Sequence, residues 1–155
     1  MSIEVDIRPG EVASPLPEHG DAEIFFIGRI RTPWPDRKSC PKRGDPAAGP
    51  LCRIEVFEPW TAALAGIEAN AEIDVLYWMH LARRDLVHQR PRSADTTFGA
   101  FAIRSPVRPN PIAASRVALV ALERSVLLVR GLDCIDGTPL IDLKPVACPS
   151  LRSPT

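Results

Sequence analysis

Seventeen of the 155 residues are proline. A proline ring fixes φ and removes a backbone donor, so proline is excluded from helix interiors and central strands and collects in connections. A chain this rich in proline is expected to alternate short elements with turns. Between the two ends, short apolar runs at residues 24–30, 53–57, 73–80, 100–103, 116–122, 126–132 and 140–144 are separated by turn residues. That spacing predicts a small antiparallel sandwich or barrel and not a βαβ array. The runs 116–122 and 126–132, joined by Glu123-Arg124-Ser125, read as a hairpin through the middle of the core. One short helix is predicted, with Pro59 in its first turn, Trp60, Ala63 and Leu64 at helical spacing, and Gly66 just past its end.

At this length, with 45% hydrophobic residues, folding removes roughly two-thirds of the surface from water, enough for a self-sufficient core. No run approaches the eighteen or so apolar residues of a membrane span, and the opening MSIEVDIRPGEVASPLPEHGD lacks a signal-peptide apolar region, so a cytoplasmic protein is expected. Residues 1–21 and 149–155 have no hydrophobic period and are expected as an extended N-terminal arm and a flexible tail. Cys40, Cys52, Cys134 and Cys148 lie far apart, with no C-x-x-C pair and no histidine at zinc-like spacing, so buried reduced thiols are expected and no metal site.

The formal net charge is zero, which argues against the whole-surface positive field of small proteins that coat nucleic acid. Any RNA contact must be a local patch. From Arg83 to Arg116 the chain carries seven arginines, Arg83, Arg84, Arg90, Arg92, Arg104, Arg108 and Arg116, against the two acids Asp85 and Asp95. A solvated face is the other explanation of that stretch. A glycine-rich G-x-G-x-x-G turn, the cofactor cradle of doubly wound methyltransferases, is absent.

Two segments are hard to explain by folding alone. In Phe98-Gly-Ala-Phe-Ala-Ile-Arg-Ser-Pro-Val-Arg-Pro-Asn-Pro-Ile112, the residues Arg104, Ser105, Arg108 and Asn110 are held among Pro106, Pro109 and Pro111. Each ring also restricts the residue before it, giving a stiff loop that presents polar groups. A guanidinium on such a loop is a preorganised fork for a carboxylate or phosphate, although a structural proline turn would look the same. In Leu132-Asp-Cys-Ile-Asp-Gly-Thr-Pro-Leu-Ile-Asp-Leu-Lys-Pro145, the residues Asp133, Asp136, Asp142 and Lys144 are ionisable groups among residues suited to burial. Buried charges persist when they pair or bind a ligand, while Asp136-Gly137-Thr138-Pro139 is also a strong turn signal in which Asp136 can bond its own backbone.

These two segments, R-S-P-x-R-P-N-P-I and G-L-D-x-x-D-G-T-P-x-x-D-x-K-P, resemble the signature of the TsaA-like (YaeB/TrmO) family. Ile27-Gly-Arg-Ile-Arg-Thr-Pro33, Gly66-Ile67 and Tyr77-Trp-Met-His80 extend the resemblance over residues 24–147. It implies a mostly β domain over residues 22–148, a small antiparallel β-barrel of about seven strands with one or two short helices. It also implies a homodimer that binds S-adenosyl-L-methionine and methylates the exocyclic nitrogen of threonylcarbamoyl-adenosine beside the anticodon of tRNA. Carried over by motif, the cofactor contacts are Pro41, Lys42, Arg43, His80, Leu81, Arg104, Ala114, Leu132, Asp133, Asp136, Gly137 and Thr138. The sequence departs from the family pattern at Pro41-Lys42-Arg43, where Pro-Arg-Gln is usual, at Leu81, where a polar residue is common, and at Val146, where the motif has tyrosine.

The parts of the cofactor ask for different partners. Arg104 suits its carboxylate, and Asp133 or Asp136 its ammonium or ribose. Methyl transfer is an in-line displacement, so the protein's main contribution is to hold the reactants at attack distance. A carbamoylated nitrogen has a delocalised lone pair, and a base that takes its proton would help; Asp136, Asp142 and His80 are the candidates. Arg83, Arg84, Arg90 and Arg92, with Arg108, Asn110 and Lys144, form the expected substrate surface. Two alternatives stand beside the tRNA enzyme: a small-molecule methyltransferase, and a non-catalytic S-adenosylmethionine-binding module.

Overall fold

The computed structural model describes residues 7–149, so the first six residues of the expected arm and residues 150–155 of the expected tail lie outside the described residues. Nine strands follow in chain order: β1 (Val12–Ala13), β2 (Gly28–Arg31), β3 (Cys52–Val56), β4 (Glu72–Trp78), β5 (Leu86–Gln89), β6 (Phe98–Gly99), β7 (Ile112–Glu123), β8 (Val126–Arg130) and β9 (Pro139–Pro145). They belong to two compact units. One comprises Ile24–Trp78 and the chain from Ala113 onward; the other comprises Met79–Ile112 and the N-terminal stretch up to Glu23.

The first unit is a closed barrel with the strand order β2-β3-β8-β7-β4-β9, β9 returning to β2. The pairings β2–β3, β3–β8, β7–β8, β4–β9 and β2–β9 are antiparallel. Period-two alternation sends Ile30, Ile54, Ile73, Val75, Val117, Leu127, Val129 and Leu140 to the inside, where all are fully buried. The hairpin expected in the middle of the core is β7–β8, turned by Arg124-Ser125 with Arg124 at φ 59°. The predicted helix is a 3-10 turn, Trp60–Leu64, followed after Gly66 by a second, Ile67–Ala69.

The second unit carries a three-stranded antiparallel sheet, β1-β5-β6. Two sequence expectations are corrected here. Residues 100–103, predicted as a strand, begin with a 3-10 turn over Ala100–Ala102, because Arg108 Nη1 donates to the carbonyls of Ala100 (2.9 Å) and Ile103 (2.7 Å), acceptors that a neighbouring strand would otherwise satisfy. The segment between His80 and Ala100, in which no strand was expected, contains β5, whose Leu86 and Gln89 are buried; Gln89 Nε2 donates to the carbonyl of Val107 at 2.6 Å.

The N-terminal stretch is tied into this sheet. The carboxylate of Glu11 accepts the Arg8 amide on one oxygen and the Arg90 amide on the other, both at 2.9 Å, and the amide of Ser14 donates to the carbonyl of Asp85 at 2.7 Å.

Candidate functional site

Within the barrel unit, the two stretches that the motifs singled out pack against each other backbone to backbone. A Cβ added to Gly44 would lie 1.8 Å from the carbonyl oxygen of Gly131, and one added to Gly131 would lie 3.0 Å from the ring of Pro46. No side chain fits in either place, so glycine at 44 and 131 lets residues 41–46 lie flat against the start of the 131–138 segment. Pro41, Lys42 and Arg43, all exposed, are thereby brought to Leu132 and Asp133. Consistent with this proximity, the Cys40 thiol is pushed up, first by burial and then by the negative charges of Asp133 and Asp36.

Asp133 is positioned from below. Tyr77, inward-facing on β4 and only 3% exposed, places its hydroxyl 2.9 Å from Oδ1 of Asp133 and 2.9 Å from Oγ of Ser115 on β7. Burial, with the nearby Asp133 charge, pushes the phenol far above its ordinary value, so it stays a donor. The second carboxylate oxygen of Asp133 accepts no hydrogen bond among the described residues.

The next turn is stitched to β2. The amide of Gly137 donates to the Ile30 carbonyl (2.8 Å) and that of Asp136 to the Trp34 carbonyl (2.7 Å), with Gly137 at φ 84°. Asp136 accepts the Thr32 amide at 3.0 Å on Oδ1 and faces Arg31 at 3.4 Å on Oδ2, and the Thr32 hydroxyl donates to the Cys134 carbonyl at 2.8 Å. The Asp136 carboxylate therefore shapes the turn that presents Asp133. Thr138 is 2% exposed and gives its hydroxyl to the Ile135 carbonyl, and Leu132 is buried, so neither side chain is turned outward. Ala114 is exposed on β7 beside Ser115. On β9, Asp142 accepts the Leu143 amide and pairs with Lys144 at 3.1 Å.

The remaining sequence-predicted residues belong to the sheet-bearing unit. His80, Leu81 and Arg104 are exposed there. Arg83 pairs with Asp85 at 2.7 Å, and Arg84 donates to the Pro109 carbonyl and, at 3.4 Å, to Asn110. Arg90 donates to the Ala94 carbonyl at 3.3 Å, and Arg92 is exposed. Arg108, expected at the substrate, is half-buried and braces its own proline loop, its guanidinium over the Phe101 ring at 5.7 Å.

Among the described residues there is no group of three or more His, Cys, Asp or Glu side chains able to hold a metal, and no helix is long and apolar enough to cross a membrane. The donor set in the barrel unit fits an amino-acid nucleoside. It offers a carboxylate with one oxygen uncommitted and, beside it, the cations of Lys42 and Arg43. Sequence reasoning named Asp133 and Lys42 but did not name Tyr77, which holds Asp133, or Ser115, Thr32, Gly44 and Gly131. One signal for Tyr77 was present. The only tyrosine of the chain follows Ile73 and Val75 on the inward period of its strand, and a buried phenol requires a partner.

The chain is similar to several known proteins. A "Probable S-adenosyl-L-methionine-binding protein VirR" from Rhizobium radiobacter is 50% identical over 139 residues, covering 90% of this chain and 79% of that protein. The "tRNA (adenine(37)-N6)-methyltransferase" of Escherichia coli K12 is 33% identical over 129 residues, covering 77% of this chain and 55% of that protein. The crystal structure of TrmO from P. aeruginosa superposes with a TM-score of 0.66 at 31% identity, covering 88% of this chain. The chain spans 59% of the length of that solved chain. Residues 29–149 match the family model described as the tRNA-methyltransferase O N-terminal domain, and the chain belongs to that family.

Proposed function

We propose that this chain binds S-adenosyl-L-methionine against the 41–46 and 131–138 segments of its barrel and transfers a methyl group to the exocyclic nitrogen of threonylcarbamoyl-adenosine in tRNA. The observation that carries the reading is the Asp133 carboxylate, one oxygen held by Tyr77 and the other uncommitted, next to a loop bearing Lys42 and Arg43. The free oxygen suits an ammonium or ribose hydroxyl, and the two cations suit a carboxylate. When bound, S-adenosylmethionine would supply an electrophilic methyl on a sulfonium, and Asp133, Lys42 and Arg43 would hold its amino-acid and ribose groups. The protein's share is orientation and removal of the nitrogen's proton. Of the three expected bases, Asp136 and Asp142 already hold backbone amides and cations on their oxygens. The exposed His80, the third expected base, belongs to the other unit.

The test is calorimetry with S-adenosylmethionine, followed by nucleoside mass spectrometry of tRNA carrying threonylcarbamoyl-adenosine after incubation with protein and cofactor. The expected results are a heat of binding and the gain of one methyl group on that nucleoside. Absence of any heat from folded protein would remove the cofactor reading. A second reading, cofactor binding without transfer to tRNA, draws support from Val146 in the place of the motif's tyrosine and from relatives named as binding proteins. Cofactor heat without methylated nucleoside would favour it.

A further inference from the structure

The sheet-bearing unit has a cleft of about 380 Å³ whose walls are two proline-stiffened steps, Arg8-Pro9 and Arg90-Pro91-Arg92, with Asp95 on the wall. Proline after each of Arg8 and Arg90 biases those residues to extended backbone, so the two steps are presented in fixed form. They are clipped together twice: Arg8 Nη1 donates to the Arg90 carbonyl at 2.7 Å, and Glu11 takes both backbone amides on its two oxygens. Glu11 thus spends its charge on amides below the cleft. The remaining acid, Asp95, is fully exposed and stands 3.9 Å from Arg90, which makes a weak pair. Three guanidinium groups against two carboxylates, Glu11 beneath and the solvated Asp95, leave a net positive site on a molecule whose net charge is zero.

We propose that this cleft is a clamp for the phosphodiester backbone of RNA, with Arg8 from the N-terminal stretch acting beside Arg90 and Arg92. Planar guanidinium forks match phosphate oxygens, and three of them lining one open cleft of about 380 Å³ suit a chain of phosphates better than a single free anion. Proline and arginine in the walls offer no pocket for a base edge, so the contact is to backbone and carries no sequence preference. The inference rests on the tRNA reading above and adds to it a site on residues of the other unit.

The experiment measures tRNA affinity at several salt concentrations for wild type, for Arg8→Gln/Arg90→Gln/Arg92→Gln, for Arg92→Glu alone, and for Arg53→Gln, which removes an exposed charge from β3. The triple variant is expected to lose about tenfold or more in affinity near 0.1 M salt and to flatten the log–log salt slope by about two to three, because each of three phosphate contacts carries about 0.7–0.9 unit. Cofactor affinity should stay at the wild-type value, and Arg53→Gln should match wild type. Arg92→Glu, whose side chain is exposed, keeps the test valid if the triple variant folds poorly; it should cut affinity severalfold. Wild-type tRNA binding with an unchanged slope in both cleft variants overturns the clamp and leaves the tRNA reading intact. Failure of wild type to bind tRNA at any salt overturns both. Displacement of tRNA at constant ionic strength by millimolar inorganic phosphate, or by poly-glutamate, would overturn RNA backbone as the occupant in favour of a free anion or an acidic protein segment.

Discussion

Tyr77 and Asp133 are 56 positions apart in the chain and meet in the barrel unit. Asp133 is legible in the sequence because an ionisable group in a stretch otherwise suited to burial needs a reason, whereas its partner is set by strand register, which a motif does not contain. Burial keeps Tyr77 protonated, so it donates to Asp133 at any pH at which the protein folds. Tyr77→Phe is therefore expected to keep the fold, at a cost of about 1–3 kcal/mol in urea unfolding, and to weaken S-adenosylmethionine binding about tenfold by calorimetry, because Asp133 loses its orienting donor. A variant with wild-type cofactor affinity would mean that the hydroxyl serves the core alone.

The pair Arg116–Asp74 is a second residue-scale case, with contacts of 2.9 and 3.1 Å on the barrel's outer face. The Arg116 side chain, hydrogen-bonded to Asp74, holds its carboxyl below the usual 3.8. A carboxyl depressed on folding stabilises above its unfolded value and loses that contribution as pH falls through the folded one. With both partners partly exposed, Asp74→Asn is expected to cost no more than about 1 kcal/mol at neutral pH. In urea melts at a series of pH values, the gap between variant and wild type should close below 3.8.

At the level of elements, the barrel strands were legible to within a few residues because each has one buried face and shows it as alternation. Residues 100–103 misread because an apolar run flanked by turns carries no record of which group satisfies its carbonyls; here a side chain does, and Phe101 is left 82% exposed. Strand β5 went unread because its inward residues are Leu86 and Gln89, an apolar residue and an amide three positions apart. The loop after Ala100 depends on Arg108 in a way that predicts a cost. Arg108→Gln strands two carbonyls and should lower unfolding free energy by about 1–3 kcal/mol, with faster amide exchange confined to residues 98–110. Unchanged exchange there would show that water replaces the guanidinium without loss.

For the whole molecule, the zero net charge directs attention to local patches, but the division into two units is not readable from sequence. One unit is assembled from the N-terminal stretch and residues 79–112, whose contacts, such as Val12 opposite His88, span about half of the chain. The four cysteines report on the barrel unit as a whole. Burial pushes Cys52 up to about 11 and Cys134 up to about 12, while Cys148 is exposed. A thiol reagent at mildly alkaline pH should label Cys148 quickly and Cys40 more slowly, and Cys52 and Cys134 only after denaturant is added. Cys40 adjoins Pro41-Lys42-Arg43, so saturating S-adenosylmethionine should slow its labelling further; an unaffected rate would place the cofactor elsewhere.

The closed barrel exposes no strand margin, whereas β5 in the other unit is covered by partners only two residues long, β1 on one side and β6 on the other. Cutting the chain before Ser14 would strip β1 away and leave the outer backbone donors and acceptors of Leu86–Gln89 facing water, a template on which a second molecule could add its own strand. The short N-terminal strand thus acts as a guard against self-association, keeping the sheet from growing into its neighbours.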